Sequence, residues 1–421
     1  MTGCSNSGNI SANGGTGTFT GSAGGIAGQF CGGSATPSVM TECFNTGTVT
    51  SHADYTGGIA GKVTSATIRH CYNLGNVSAS KLSVEGAKKV WETGGICGNN
   101  TGPLENCWNA GSIYSTGYAV GGISGLPQSN LTGCFNLGDV TVEKGDDHPV
   151  WGGLAGGVFG YTASTGEIND CYNLGTVTAP DYAGGIASGL SGSWTMTNCY
   201  NAGKVIGTET GASHLFEIMG PTSVAVRPSA ISNVYYVEGI NPHINGTSGY
   251  DPSAKSLTRK EMETASLGMG YQYERACLPT LTSTAEPALA HLAAVGIEFG
   301  EGENETSVKT NVYLGQLETV VWSASENCLI IGEKACPKEL GEVTLTAATP
   351  DGSKTRIFRF NATDILGVDE TFIDAEVIER EYFDMQGRQT GRPADGTICI
   401  VRTRFSDGRI LTEKVMLSSR K

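Results

Sequence analysis

The sequence predicts an all-β protein, with a parallel β-solenoid over residues 1–240 and small antiparallel β-sandwich domains after it. Three observations carry this reading. A word of the form cysteine, aromatic, asparagine, any residue, glycine, any residue, valine or isoleucine recurs at Cys4, Cys43, Cys71, Cys107, Cys134, Cys171 and Cys199, with Ser5 in the aromatic place of the first copy. A second word, two glycines followed by an apolar and then a small residue, alternates with it at Gly24, Gly57, Gly94, Gly121, Gly152 and Gly184. Both words keep their order at unit lengths of 27 to 39 residues, which marks a stacked array.

Each position of the first word has a physical role in such an array. Equivalent residues of successive coils lie about 4.8 Å apart, so every column holds like residues. Val or Ile at the last position makes an apolar interior column, and Cys makes another as a small buried hydrophobe. Asn suits a buried amide ladder and also tolerates the left-handed backbone of a sharp corner. The glycine two residues later fits either a positive-φ corner or close backbone approach. The GG word reads as a place where chain must approach chain. The words leave open whether a coil holds two or three strands.

Thirteen cysteines are present, and the roughly 30-residue spacing of the seven repeat cysteines is not a zinc pattern. Stacked in-register copies hold their Cβ atoms near the strand spacing, beyond the usual disulfide separation of about 3.5–4.5 Å. A column of free thiols is therefore expected. Cys31 and Cys97 lie outside the word, and pairing of Cys328 with Cys336 stays open.

The connections carry a super-period. From each Cys to the next GG word the distances run 20, 14, 23, 14, 18 and 13 residues, so extra chain enters at every second unit. The insertions SANGGTGTFTGSA, SASKLSVEGAKKVWE and TVEKGDDHPVW should emerge on one side. The second and third carry Trp91 and Trp151, with Lys88, Lys89, Asp146, Asp147 and His148 nearby. Loops on a rigid scaffold are where binding concentrates, and an exposed Trp suits sugar or protein contact. These seven residues are the candidate ligand-binding set. The alternative is that the two Trp cover the ends of an apolar interior.

Residues 241–304 read as a junction and solenoid cap. In SLTRKEMETASL, Thr258 stands three before Glu261, a capping box for a short helix. Residues 305–365 alternate apolar and polar residues in short runs, TVVWSAS, CLIIGE, EVTLTAAT and TRIFRFNAT, parted by turns such as PDGS, as an antiparallel sandwich requires. Trp322 is assigned to its core. Residues 366–421 form a last small β-domain with the hairpin signals PADGT and FSDGR.

Charge narrows the partners. The chain has a formal net charge of −14, with 23 charged residues in 1–240 and 45 in 241–421. Without Lys/Arg runs it is a poor match for nucleic acid. No apolar run is long enough to span a bilayer. The opening MTGCSNSGNI begins inside a repeat word, so the chain is read as a fragment with an added Met.

The alternating GG[IL]xG and C[FYW]NxGxV words resemble the GLUG-motif repeats of bacterial surface, adhesin-like proteins. The stretch from WSASEN to TRIFRF resembles bacterial Ig-like surface modules. The tail, through Tyr382, Asp384, Gln386, Gly387, Arg388, Gly396 and Asp407–Gly408, resembles the sorting domain of Bacteroidetes proteins exported by the type IX system, with Ile398 and Cys399 where an aromatic is usual. A second Ig-like module is the alternative for this tail. The resemblance implies an extracellular or cell-surface protein. The GLUG name is linked to surface metallopeptidases, but none of the six His supplies an HExxH helix.

The resulting expectation is a monomeric, non-enzymatic, adhesin-like protein that binds host or environmental glycans or glycoproteins, with no catalytic residue, metal or cofactor. Two alternatives stand beside it. One is a structural stalk with no ligand of its own. The other is a carbohydrate-active β-helix enzyme, which needs carboxylates converging on one groove; Asp139, Asp170 and Asp181 share no column by spacing.

Overall fold

Every Cys word opens a coil, and every coil lays down five short strands. In the second coil these are Phe44–Asn45, Val49–Ser51, Tyr55–Gly57, Ala60–Thr64 and Ala66–Arg69. The computed structural model describes residues 1–421 apart from 14–20, 34–37, 82–89, 145–152, 163, 191–192, 213, 222–229, 242–253, 365–376, 385–387, 392, 394–397, 406–409 and 417–421. Equivalent strands of successive coils pair in parallel and in register, so that Asn45 meets Asn73 and Asn73 meets Asn109. Seven coils stack into five columns, numbered here first to fifth in chain order. Five strands replace the two or three expected, because most of them, at two to five residues, are too short to show a period of two.

The amide ladder forms as the word predicts. Asn6, Asn45, Asn73, Asn109, Asn136 and Asn173 each donate from Nδ2 to Oδ1 of the Asn in the next coil, at 2.8 to 2.9 Å. The same Nδ2 bonds the carbonyl of the glycine two residues on, at 2.7 Å in Asn45 and Asn73. That glycine is present for close approach, not for positive φ: a Cβ on Gly75 would overlap the Gly47 carbonyl. The left-handed corner lies elsewhere, on the residue before each Cys, with φ of 55° at Glu42, 51° at His70, 52° at Asn106, 54° at Asp170 and 56° at Asn198. The corner stands between the fifth and first columns.

The GG word faces this ladder. A Cβ on Gly58, Gly95 or Gly122 would overlap the side chain of Asn73, Asn109 or Asn136 and a carbonyl of the next coil. This contact explains why the two words alternate. It also corrects the register of the fifth coil: the glycine against Asn173 is Gly157, so the second word there is GGVFG at Gly156 and not GGLAG at Gly152. The Cys134-to-GG distance becomes 22 residues, which sharpens the alternation of long and short connections. All long connections join the second column to the third, as the gaps between Ile10–Ala12 and Ser22–Gly24, Val77–Ala79 and Glu92–Gly94, and Val140–Val142 and Leu154–Gly156 show.

Two apolar cores flank the waist made by Asn and GG. One holds the Cys column with Ile68, Leu104, Ile96, Ile123 and Ile186. The other holds Val49, Val77, Ile113, Val140, Val177 and Val205. On the outer side of the first column the aromatic residues stack: Phe44 on Tyr72 at 5.0 Å, Tyr72 on Trp108 at 4.9 Å, Trp108 on Phe135 at 5.7 Å, Phe135 on Tyr172 at 4.7 Å and Tyr172 on Tyr200 at 5.0 Å. The chain after the coils covers part of this stack. Tyr271 donates to the Asn198 carbonyl at 2.9 Å, Ser283 to Asn106 Oδ1 at 3.0 Å, and Trp108 Nε1 to the Ala285 carbonyl at 3.0 Å. Tyr271 and the stretch Leu281–Ala285 thus cover a flank of the coils, while the parallel strands Ala230–Val237 and Lys255–Leu257 extend the last coil. The helix Arg259–Met262 has the expected capping box, with Glu261 N donating to Thr258 Oγ1 at 3.1 Å and Thr258 N to Glu261 Oε2 at 2.8 Å.

The chain divides into two compact units: Met1–Gln272 with Leu281–Ala285, and Tyr273–Thr280 with Glu286–Lys421. In the second unit, the helix Ala288–Ala294 precedes two antiparallel sheets, four-stranded and three-stranded, whose residues share a core of Val308, Val312, Leu314, Val343, Leu345 and Phe360. Trp322 packs against it and donates to the Gly315 carbonyl at 2.8 Å. A further four-stranded antiparallel sheet is formed by Val377–Phe383, Gln389–Thr390, Ile398–Phe405 and Ile410–Met416. None of the thirteen cysteines is in a disulfide, Cys328 and Cys336 included.

Candidate functional site

The third column carries the most distinctive outer surface of the coils. Its strands begin at Ser22, Tyr55, Glu92, Ala119, Leu154, Tyr182 and His214, each the register partner of the next. One residue earlier, Asp54, Trp91 and Tyr118 form a parallel row: Trp91 N donates to the Asp54 carbonyl at 3.0 Å and Tyr118 N to the Trp91 carbonyl at 2.8 Å. The long connections re-enter the coils at this row.

Trp91 is 43% exposed, against 1% for Trp108 and 0% for Trp194. Its ring meets Tyr118 edge-on at 6.1 Å, and Tyr118 meets Tyr161 of the fourth column edge-on at 5.8 Å. Beside them Lys62 Nζ lies 4.8 Å from the centroid of the Tyr55 ring. At the far end of the column the Tyr182 and His214 rings stack at 4.2 Å, and His214 Nδ1 lies 2.6 Å from Asp181 Oδ2.

Beneath the aromatic side chains sit two carboxyls. Asp54 is 2% exposed and Glu92 is 7% exposed, and Glu92 Oε2 has no hydrogen-bond partner. Burial pushes the Glu92 carboxyl up to about 8, with the Asp54 charge adding to the rise and Lys62 opposing it. Burial likewise pushes the Tyr118 hydroxyl up to about 12, helped by Tyr161 and Glu92. The site therefore holds two buried acidic side chains, with the pKa of Glu92 raised by burial, and one lysine among aromatic rings.

Of the residues expected to bind ligand, the structure places Trp91 on this surface. Lys88, Lys89, Asp146, Asp147, His148 and Trp151 lie outside the described residues. Sequence reading missed Tyr55, Asp54, Glu92, Tyr118 and Tyr161. For all but Tyr161 the signal was present: in ADYTGG, VWETGG and PDYAGG both places before xGG carry an aromatic or an acid, and in GYAVGG the first does. Among the described residues no group of His, Cys, Asp and Glu is arranged to hold a metal ion, and no helix is long and apolar enough to cross a membrane. A concavity of about 610 Å³ opens at the last coil, lined by Lys204, Ile206, Glu209, Leu215, Ile240 and Asn241. Glu209 there is held by Lys144 at 2.6 Å. No protein-family model, curated protein or solved structure matches the chain.

Proposed function

We propose that this protein is a non-enzymatic, adhesin-like protein of the cell surface or extracellular space that binds glycans or glycoproteins through the outer face of its third column. The observation that carries the reading is Trp91, a Trp 43% exposed on a rigid coil and braced edge-on by Tyr118. Large aromatic surface held at low ordering cost is what a contact residue needs. The location follows from the resemblance to GLUG-motif surface proteins. Binding to a glycan array and to mucin-type glycoproteins, lost in Trp91→Ala with unchanged thermal unfolding, is the expected result. A purified chain that binds nothing at high concentration refutes the reading and leaves the stalk.

A second reading has one specific observation in its favour. Asp54 and Glu92 sit at neighbouring places in successive coils, and burial pushes the Glu92 carboxyl up to about 8, so the pair has the two acidic groups that glycoside hydrolysis uses. Their burial at 2% and 7% exposure argues against it, because a glycosidic oxygen needs access to the proton donor. Release of reducing ends from any glycan that binds, abolished in Glu92→Gln, would establish the enzyme.

A further inference from the structure

We propose that the ligand of this face is an extended, uncharged linear glycan that lies parallel to the solenoid axis, with successive sugar residues over successive coils. The proposal rests on the glycan-binding reading above and specifies its ligand class. Its basis is a track of aromatic side chains, one from each of the second to sixth coils. Tyr55 comes from the second coil, Trp91 from the third, Tyr118 from the fourth, Tyr161 from the fifth and Tyr182 from the sixth. Trp91 is exposed, and the four tyrosines are each half-buried. Coils rise by about 4.8 Å, close to the length of one pyranose in an extended chain. A polymer with that repeat meets an aromatic side chain at each step, from the third column or, at Tyr161, the fourth, whereas a compact ligand meets only one or two coils.

The rings are fixed in advance. Trp91, Tyr118 and Tyr161 hold one another edge to face, and Tyr182 is stacked on His214. Preordered rings lose little freedom on binding. The local charge favours an uncharged partner. Lys62 is engaged over Tyr55, Asp54 is buried, Asp181 is held by His214, and Glu92 is kept neutral by burial and by Asp54. An anionic polymer requires a row of cations, and a cationic one requires open carboxylates; this track has neither among its described residues.

The test uses the full chain and neutral oligosaccharides of the cello-, xylo-, manno- and chito- series, from monosaccharide to hexasaccharide, by titration calorimetry. Affinity is expected to rise with each residue and to level off at about five, one for each aromatic coil. Tyr182→Ala, at the far end from Trp91, is expected to weaken the hexasaccharide roughly tenfold, the scale of one lost aromatic contact, and to leave the disaccharide unchanged. Affinity independent of length, an unchanged hexasaccharide affinity in Tyr182→Ala, or preference for sulfated or sialylated chains overturns the proposal while the glycan-binding reading stands. No binding to any glycan, on the array or in this series, removes both.

Discussion

Asn73 donates to Asn109, accepts from Asn45 and bonds the Gly75 carbonyl, all inside a waist closed to water. An amide so placed leaves several buried groups unsatisfied when it is removed, whereas Asn6 at the first coil is bonded to one neighbouring Asn and is not buried. Asn73→Ala is therefore expected to cost about 3 kcal/mol and Asn6→Ala about 1 kcal/mol in urea unfolding; equal costs would mean the ladder is incidental. Glu92 acts in the opposite sense. Its folded pKa, about 8, is raised above the ordinary Glu value of 4.5, and the groups around it are Asp54, Lys62, Tyr55 and Tyr118. The folded state then keeps a proton that the unfolded chain releases. Stability from this group is fully present below the unfolded pKa and is lost as pH rises through the folded one. Between pH 5 and 8 the loss is at most roughly 4 kcal/mol. Glu92→Gln should flatten that slope in unfolding measured across the window, and an unchanged slope would contradict a neutral Glu92.

At the scale of the element, the repeat positions were legible and the variable ones were not. In-register stacking forces like residues into one column, so Cys, Asn and Val announced their columns in the sequence alone. The third-column row reads Tyr55, Glu92, Ala119, Leu154, Tyr182, and its members share no chemistry; only alignment on the GG word brings them together. The GG register itself slipped at GGLAG, where the sequence offers two overlapping matches and only the contact of Gly157 with Asn173 decides between them. The outward stack from Phe44 to Tyr200 was equally hidden, since nothing local says which chain segment covers it. Glycine roles are open to a direct test, because Gly8 and Gly75 hold the same place in different coils. A Cβ on Gly8 meets only Asn6 Oδ1 at 3.6 Å, while one on Gly75 meets the Gly47 backbone, which has no room to retreat. Gly75→Ala is expected to destabilise by about 3 kcal/mol and Gly8→Ala to be near neutral. Matching thermal shifts in the two variants would refute close approach as the reason for the glycine.

Across the whole molecule, the cysteine column joins stacking to chemical state. From Cys43 to Cys199 the thiols are buried, and each Sγ donates to the carbonyl two residues before it, at 3.2 to 3.5 Å. Successive members also touch through backbone amides, Cys43 N donating to Cys71 Sγ at 3.3 Å and Cys171 N to Cys199 Sγ at 3.4 Å. Burial pushes the Cys43 thiol up to about 11 and raises Cys107 and Cys171, whereas hydrogen bonds with neighbouring thiols lower Cys71 and, against its burial, Cys134; what protects the column throughout is exclusion of reagent from the buried sulfurs. Cys31 alone is exposed, and Cys4 at the first coil is half-buried. A disulfide reagent at pH 8 should therefore label Cys31 fast and Cys4 more slowly, and should reach the full thirteen thiols only after unfolding. Because the protected thiols span the coils, their release should track cooperative opening of the stack, not a local event at one coil. Staggered exposure, beginning from Cys199 and moving coil by coil, would instead show that neighbouring coils are weakly coupled. Fewer than thirteen thiols after denaturation would show that some are bonded, and would overturn the free-thiol column.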